Sequence, residues 1–271
     1  MLEILILAAL RAGEAISQIY AAPDCGAAKK ADGSAVTHAD LAAEAIILDV
    51  LRQHFPQIPV IAEEAAAAGQ VPDCGARFFL VDPLDGTREF LSRNGEFTVN
   101  IALIEACRPV MGVVSAPALG QIFAGAAQSG ARRGRIHEGA AMGWQDIHVR
   151  RPGADGLEVI ASRSHLSKET EEFIARFAVK SLLPAGSSLK FCRLSEGNAD
   201  LYPRLSRTME WDTAAGDAVL RAAGGKVCTL DGAALQYGKR GQAGDIDFAN
   251  PWFVAAGGFD PFVMLPQNGL I

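Results

Sequence analysis

The sequence contains no cysteine pair of the C-x-x-C type. An odd number of cysteines without regular spacing argues against a disulfide framework and favours a reducing compartment. We therefore expect the thiols to be packing or surface groups. The five cysteines are scattered along the chain: Cys25, Cys74, Cys107, Cys192 and Cys228.

An excess of positive charge is also lacking. The chain has 25 Lys and Arg residues against 31 Asp and Glu residues, which gives a net charge of −6. Binding to a nucleic acid polymer through its phosphates is therefore not expected. If the substrate is a small anion, local cationic groups or bound metal ions have to attract it.

Long hydrophobic runs are absent too. Nowhere do about 18 apolar residues follow one another, so we expect no membrane span. The apolar start of the chain lacks a basic segment and is interrupted by Arg11 and Glu14, so we expect no signal peptide. Apolar residues still make up 49% of the 271 residues, which is enough for one large domain or two closely packed ones.

The hydrophobic pattern changes in character near residue 150. Before it, we predict helices and strands in which the short connections indicate antiparallel pairing: helices over 2–20 and 37–54, strands over 58–62, 78–81, 97–104, 110–115 and 121–125. Residues 65–76 are predicted as a surface loop, and residues 128–145 are rich in Gly and Arg without a clear pattern.

After residue 150, strands alternate with helices. We predict strands over 157–161 and 199–202 and helices over 168–177, 188–196 and 211–223. These patterns predict an α/β protein with a first domain over 1–150 and a second over 151–271, packed closely because no linker composition separates them.

One stretch combines features that suit metal-assisted chemistry on a phosphate. The predicted strand over 78–81 leads into residues 82–87, Asp-Pro-Leu-Asp-Gly-Thr. Pro83 has no N–H group and is expected to end the strand, while Gly86 permits a tight turn that opens a helix. Carboxylates hold hard cations, and free N–H groups at a helix start hold anions.

Other acidic residues have simpler explanations when each is taken alone. The pair Glu63-Glu64 could be solvated surface, and Asp212 could be a helix cap. Thr37 and Asp40 have the spacing of a capping box, which is compatible with a further role. Asp82 and Asp85 on one turn repel each other unless a cation lies near them, and Mg²⁺ suits an all-oxygen site of this kind.

Three separated motifs resemble the signatures of the inositol monophosphatase superfamily, whose members are Mg²⁺-dependent, lithium-inhibited phosphatases. They are residues 82–87, the preceding Glu63-Glu64 pair and residues 211–216, Trp-Asp-Thr-Ala-Ala-Gly. Four further stretches resemble the branch of bacterial 3'(2'),5'-bisphosphate nucleotidases: residues 95–104, 162–165, 186–191 and 201–204. The resemblance runs from residue 1 to about residue 255 and implies a five-layer α/β/α/β/α sandwich.

The resemblance also implies a metal site with two or three Mg²⁺ ions. One ion would be held by Glu64, Asp82 and the carbonyl of Leu84. A second would be held by Asp82, Asp85 and Asp212, and a third would be touched by Glu64 through water. Most of these ligands come from the first predicted domain, and the second domain completes the site.

For catalysis, the resemblance implies that Asp40 and Thr87 help to activate the attacking water. The N–H groups of Gly86 and Thr87 would hold the reacting phosphate, around which Glu64, Leu84, Asp85 and Asp212 also lie. At the nucleotide end, the implied contacts are Ser164, His165, Ser188, Lys190 and Arg204. Lys190 or Arg204 alone could equally be a surface charge, and His165 could cap a helix.

The implied reaction removes the 3'-phosphate from 3'-phosphoadenosine 5'-phosphate, or from its sulfated form, and recycles a by-product of sulfate assimilation. Two alternatives remain: the same chemistry on an inositol or sugar phosphate, and a non-catalytic sensor that binds metal and nucleotide. The resemblance further implies a cytoplasmic protein or one bound peripherally at the inner face of the plasma membrane, as a monomer or homodimer. Arg88 departs from the pattern, which has Lys at this position.

Overall fold

The computed structural model describes residues 1–22, 26, 28–29, 35–162 and 166–264. Two residues predicted to contact the nucleotide, Ser164 and His165, lie outside these ranges, as does Cys25. The other four cysteines are free thiols, of which Cys192 and Cys228 are buried.

In the described ranges, the chain forms eight α-helices and fourteen strands. The helices are α1 (Leu2–Ala21), α2 (His38–His54), α3 (Glu63–Ala67), α4 (Thr87–Leu91), α5 (Lys168–Ile174), α6 (Leu189–Ser195), α7 (Glu210–Ala222) and α8 (Pro261–Met264). The strands are β1 (Ala28–Lys29), β2 (Ala35–Val36), β3 (Val60–Ala62), β4 (Arg77–Asp85), β5 (Thr98–Glu105), β6 (Arg108–Ala116), β7 (Gln121–Ala126), β8 (Gly130–His137), β9 (Ala140–Ile147), β10 (Leu157–Ser162), β11 (Val179–Ala185), β12 (Leu201–Arg204), β13 (Lys226–Thr229) and β14 (Phe253–Ala256).

Two sheets organise these elements. The larger has seven strands in the order β3-β4-β5-β6-β7-β8-β9, all antiparallel except the parallel pair β3–β4. The smaller has five strands in the order β11-β10-β12-β14-β13, with β10 parallel to both of its neighbours. The larger sheet ends at Ile147 and the smaller begins at Leu157. The predicted division into two domains at residue 150 would fall between them and stays a prediction.

Three hydrophobic clusters define the layers. Successive strand residues point to opposite faces of a sheet, so Phe79 and Val81 pack with α1 and α2 on one face of the larger sheet. Phe78 and Leu80 pack on the other face with α6, α7 and the smaller sheet. The far face of the smaller sheet packs against α5. The predicted five-layer α/β/α/β/α sandwich is confirmed.

Helix α7 lies unusually close to the larger sheet. A Cβ atom added at Gly112 in β6 would lie 2.5 Å from the carbonyl oxygen of Ala215, and one added at Gly125 in β7 would lie 2.7 Å from Cα of Val219. Only glycine leaves room for the helix backbone at these two positions. The close approach fixes α7, and with it Asp212 in its first turn, against the strands.

The prediction that Pro83 ends its strand is wrong. Strand β4 continues to Asp85 through a shift of register, in which Asp82 pairs with Asn100 and Asp85 with Thr98. A β-bulge accommodates Pro83, which has no N–H group to donate to β5, and the pairing of β4 with β5 resumes at Asp85. The bulge therefore turns the chain without ending the strand.

Several elements have no counterpart in the sequence prediction. Residues 128–145, which showed no clear pattern, contribute to the hairpin of β8 and β9 at the edge of the larger sheet, where both faces of β9 are largely exposed. Strand β11 is likewise an exposed edge strand, and β13 and β14 have only four residues each. A strand that does not have one buried and one exposed face shows no alternation of apolar and polar residues in its sequence. Helix α3 replaces the first part of the predicted surface loop.

Helix α1 is the one helix in the described part of the chain that is long and apolar enough to cross a membrane by length and composition. In the structure it packs along α2 and against β5 and β6. Its buried residues include Leu5, Ile6 and Ile16. Packing in the core therefore accounts for its apolar character.

The close contact at Gly112 yields a stability prediction. We expect Gly112→Ala to lower the free energy of unfolding by about 1–3 kcal/mol, because overpacking displaces α7 from the sheet. Urea unfolding followed by circular dichroism measures this value. Gly75→Ala is the matched control, since a Cβ atom there meets nothing within 4 Å. An equally stable Gly112→Ala protein would contradict the contact.

Candidate active site

A cavity of about 430 Å³ opens where the two sheets and α7 meet. Its wall combines acidic and basic side chains with the tight turn at the end of β4. The acidic residues are Glu63, Asp85, Glu89 and Asp212, the basic ones are Arg88, Lys190, Arg204 and Arg207, and the turn contributes Gly86 and Thr87. We call it the central cavity. Opposite charges that share one cavity suit a ligand with both cationic and anionic parts, such as a phosphate with its metal ions.

The turn at Gly86 has the conformation that the sequence predicts. Gly86 has φ of +91° and precedes the first residue of α4, Thr87. A Cβ atom at Gly86 would lie 3.3 Å from the carbonyl oxygen of Glu96, so both space and conformation favour glycine here. The turn leaves Gly86 and Thr87 on the wall of the central cavity.

Asp82 and Asp85 differ in their surroundings. Asp82 is almost fully buried, and its Oδ1 accepts a hydrogen bond of 3.0 Å from the backbone N–H of Leu84. Asp85 reaches the central cavity, and its Oδ2 accepts hydrogen bonds of 2.7 Å from both the Ser187 hydroxyl and the Ser188 N–H. Its second oxygen, Oδ1, is not part of these bonds.

Negative charge accumulates around Asp82. Burial raises the pKa of Asp82 well above its ordinary value, and the charges of Glu63, Asp85, Asp212 and Asp40 raise it further. Burial also raises the pKa of Asp212, with additional contributions from Asp85 and Glu63. A cation among these groups would relieve their repulsion, which is the electrostatic condition for a metal site.

These carboxylates lie near one another, but their oxygens do not converge on one point. Within the described ranges, no three His, Cys, Asp or Glu side chains form a ready-made metal-binding cluster. Asp82 and Asp85 each direct an oxygen toward backbone or hydroxyl donors of the protein. The other oxygen of each carboxylate is not used in these hydrogen bonds. The donor set itself, carboxylate oxygens and a backbone carbonyl, fits Mg²⁺.

The structure separates the two adjacent glutamates. Glu63, the first residue of α3, lines the central cavity with Asp85 and Asp212. Glu64 is buried and lines a different cavity, between α2 and α3. Neighbouring residues on a helix point in directions about 100° apart, so only one of the two reaches the carboxylates. The structure therefore places Glu63, and not the predicted Glu64, beside Asp85 and Asp212.

Asp40 and Thr87 lie in contact. The Thr87 hydroxyl donates to Oδ1 of Asp40 at 3.3 Å. Oδ2 of Asp40 accepts from the N–H and hydroxyl of Thr37, both at 2.7 Å. The capping box at the start of α2 is thus present, and it leaves one carboxylate oxygen for Thr87. The cap and the contact to Thr87 occur together.

Asp212 is fixed by the first turn of α7. Its Oδ2 accepts from the N–H of Met209 at 2.9 Å, and its backbone carbonyl accepts from the Ser188 hydroxyl at 2.6 Å. The side-chain amide of Asn250 donates to the carbonyl of Met209 at 2.7 Å and to the hydroxyl of Thr213 at 3.0 Å. The sequence did not reveal Asn250, because its contacts bring together residues distant in the chain.

Ser188 lies beneath the wall of the central cavity, between Asp85 and Asp212. Its side chain is buried, its N–H donates to Asp85, and its hydroxyl donates to Asp212. The hydrogen bonds of Ser188 therefore go to the two aspartates, and its contact with the substrate stays a prediction. The preceding residue, Ser187, lines the central cavity instead.

Lys190 and Arg204 line the other part of the cavity and are both buried. Nζ of Lys190 donates to the carbonyl of Ser187 at 2.5 Å and lies 5.3 Å from the centroid of the Tyr202 ring. Burial lowers the pKa of Lys190 to about 8, and the charge of Arg204 acts in the same direction.

The Arg204 guanidinium donates from Nη2 to the carbonyl of Arg207 at 3.2 Å. Its buried Nε has no hydrogen-bond partner among the described residues. Across the same ranges, neither Lys190 nor Arg204 forms an ion pair with a carboxylate. Two buried cations of this kind form a site for an anionic group. Arg207 and Thr208 also line the cavity, and no motif in the sequence marks them.

Comparisons with known proteins agree with this geometry. The model of the inositol monophosphatase family matches residues 1–257. The 3'(2'),5'-bisphosphate nucleotidase CysQ of Salmonella typhimurium is 44% identical over 254 residues, which cover 93% of this chain and 98% of that protein. The protein of the same name from Escherichia coli K12 is 42% identical over the same shares of the two chains.

Solved structures show the same relationship. The crystal structure of CysQ from Bacteroides thetaiotaomicron superposes with a TM-score of 0.76 at 36% identity, covering 95% of this chain and 97% of that one. The inositol monophosphatase from Anabaena gives a TM-score of 0.73 at 26% identity, covering 95% and 90%. A family model that spans nearly the whole chain and relatives above 40% identity lead to one conclusion: the chain belongs to the inositol monophosphatase family.

Proposed function

We propose that this chain is a metal-dependent phosphatase that hydrolyses the 3'-phosphate of 3'-phosphoadenosine 5'-phosphate to give AMP and phosphate. The observation that carries the proposal is the composition of the central cavity, where carboxylates face two buried cations. The carboxylates suit the reacting phosphate with its metal ions, and the cations suit a second phosphate. The names of the relatives, 3'(2'),5'-bisphosphate nucleotidases, support this substrate class.

Five groups would hold the metal ions: the side chains of Glu63, Asp82, Asp85 and Asp212 and the carbonyl of Leu84. We propose Mg²⁺, with two ions at the carboxylates and a third touched by Glu63 through water. When bound, the ions would supply an acidified water and stabilise the leaving oxygen.

The residues of the chain itself would orient the reactants. The Thr87 hydroxyl donates a hydrogen bond to Asp40, so the hydroxyl oxygen can accept a hydrogen bond from the attacking water. Thr37 holds Asp40 in place through two hydrogen bonds. Thr87 is not a strong base by itself, and the proton that it accepts can pass only to Asp40 or to solvent. The N–H groups of Gly86 and Thr87 would hold the phosphate at the turn.

Lys190 and Arg204 would select for a second phosphate. A substrate with one phosphate leaves both buried cations without an anion, which is unfavourable. A bisphosphate nucleotide, or its sulfated form, satisfies them. The protein would then recycle a by-product of sulfate assimilation, acting on a small molecule as a monomer or homodimer in the cytoplasm or at the inner face of the membrane.

Substrate choice can be measured directly. We expect kcat/KM for 3'-phosphoadenosine 5'-phosphate to exceed that for inositol 1-phosphate by at least about 100-fold, since each charge-assisted hydrogen bond contributes roughly 1.5–3 kcal/mol. Phosphate release with and without Mg²⁺ provides the measurement. A preference for the inositol ester would favour the alternative substrate, and no release from any ester would favour a sensor.

The two glutamates at the start of α3 give a second test. We expect Glu63→Gln to lower phosphate release at fixed Mg²⁺ by at least about 100-fold, the upper end of what the loss of a supporting group at a metal site causes. Glu64→Gln makes the same chemical change one residue away. It should leave activity within about threefold of the wild-type value, as for a residue distant from the reacting atoms. A larger loss of activity in Glu64→Gln than in Glu63→Gln would assign the metal ligand to Glu64 instead.

The lowered pKa of Lys190 gives a dependence on pH. The Lys190 ammonium is charged below pH 8 and loses its proton as pH rises through about 8. We therefore expect KM for the bisphosphate to rise above this pH by about tenfold, the value of one charge-assisted hydrogen bond. Lys190→Arg should abolish the rise, because a guanidinium stays charged. An identical rise in that variant would exclude Lys190 as its cause.

A further inference from the structure

We propose that Glu44 is a positioning residue that directs Glu63 into the central cavity. The inference rests on the proposed function of Glu63 as a metal ligand. Glu44 lies in the middle of α2, is buried and does not line the central cavity. Its action would pass through the backbone of α3.

Helix α3 has no cap of its own. It starts directly after β3, and the residue before it, Ala62, makes no side-chain hydrogen bond to the first turn. The first N–H groups of a helix require acceptors from elsewhere. Glu44 supplies acceptors for two of these N–H groups. Its Oε2 accepts from the N–H of Glu64 at 2.8 Å, and its Oε1 accepts from the N–H of Ala65 at 2.9 Å. Its negative charge also suits the positive end of the helix.

The two hydrogen bonds determine where α3 begins and how it is rotated. With only five residues, α3 is too short to be stable without tertiary contacts. A rotation of the first turn by one residue would bring Glu64 to the direction that Glu63 has and would turn Glu63 away from the aspartates. Glu44 fixes the backbone at residues 64 and 65, so that Glu63 faces Asp85 and Asp212 while Glu64 faces the cavity beside α2.

Helix α2 thereby supports the site at two points. Asp40 and Glu44 are four residues apart, so they lie on the same face of the helix. Asp40 contacts Thr87 at the start of α4, and Glu44 contacts the start of α3. One helix thus sets the position of the proposed water-activating pair relative to a proposed metal ligand.

The experiment compares the metal dependence of Glu44→Gln with that of the wild-type protein. In the variant an NH2 group of the same size replaces one of the two oxygens that each accept one N–H group, so one of the two hydrogen bonds is lost together with the charge. We expect the half-saturating Mg²⁺ concentration for phosphate release to rise about tenfold, as for other groups that orient a ligand. At saturating Mg²⁺, kcat should return to near the wild-type value. Asp49→Asn is the matched control, since Asp49 is an exposed carboxylate on the same helix.

A second readout does not depend on turnover. The rise in melting temperature on addition of Mg²⁺ reports metal binding to the folded protein. We expect the Mg²⁺ concentration that produces this rise to shift in Glu44→Gln as it does in the activity assay. Glu44→Asp keeps the charge and is too short to reach both donors, so it should shift in the same direction. An equal loss of activity at every Mg²⁺ concentration, without a shift in either readout, would overturn the proposal.

A double-mutant cycle separates this inference from the proposed function. If Glu44 acts through Glu63, adding Glu44→Gln to Glu63→Gln should change metal binding no further. An additive second loss would show a general structural role and would overturn the inference. If Glu63→Gln alone leaves metal binding unchanged, the proposed role of Glu63 fails. If Glu63→Gln weakens metal binding and Glu44→Gln does not, only the positioning role fails.

Discussion

The mutual repulsion of buried carboxylates is the constraint on which the central cavity depends. Asp82 is almost fully buried, and the charges of Glu63, Asp85, Asp212 and Asp40 all act on it. In a medium of low dielectric constant, such an arrangement is unfavourable unless cations or hydrogen-bond donors compensate it. The protein provides donors for individual oxygens, from Leu84, Ser187, Ser188 and Met209. A surplus of negative charge remains for metal ions to neutralise.

The layered fold holds these charges in place against their repulsion. Glycines in β6 and β7 let α7 approach the larger sheet, and Asn250 holds the first turn of α7, which carries Asp212. On the opposite side of the sheet, α2 anchors Thr87 and α3. The carboxylates therefore belong to rigid elements on both sides of one sheet, and their positions follow from packing in two separate hydrophobic clusters.

Much of this architecture could be predicted from local sequence. The turn at Gly86, the cap of α2 by Thr37 and Asp40, and the antiparallel strands after residue 97 are indicated by residues close together in the sequence. What escaped prediction depends on contacts between distant residues. The choice between Glu63 and Glu64 depends on Glu44, twenty residues away from Glu64. The hairpin of β8 and β9 lacks an alternating pattern because it lies at an exposed sheet edge.

Ser188 is attached to both halves of the chain, through its N–H to Asp85 and through its hydroxyl to the carbonyl of Asp212. An ion held by both aspartates would bind only when the two halves are joined in this way. Binding of that ion and folding of the chain would then be thermodynamically linked, and at about 100 times the dissociation constant the folded state would gain roughly 2.7 kcal/mol. The concentration of divalent cation in the surrounding solution would thus contribute to the stability of the folded protein.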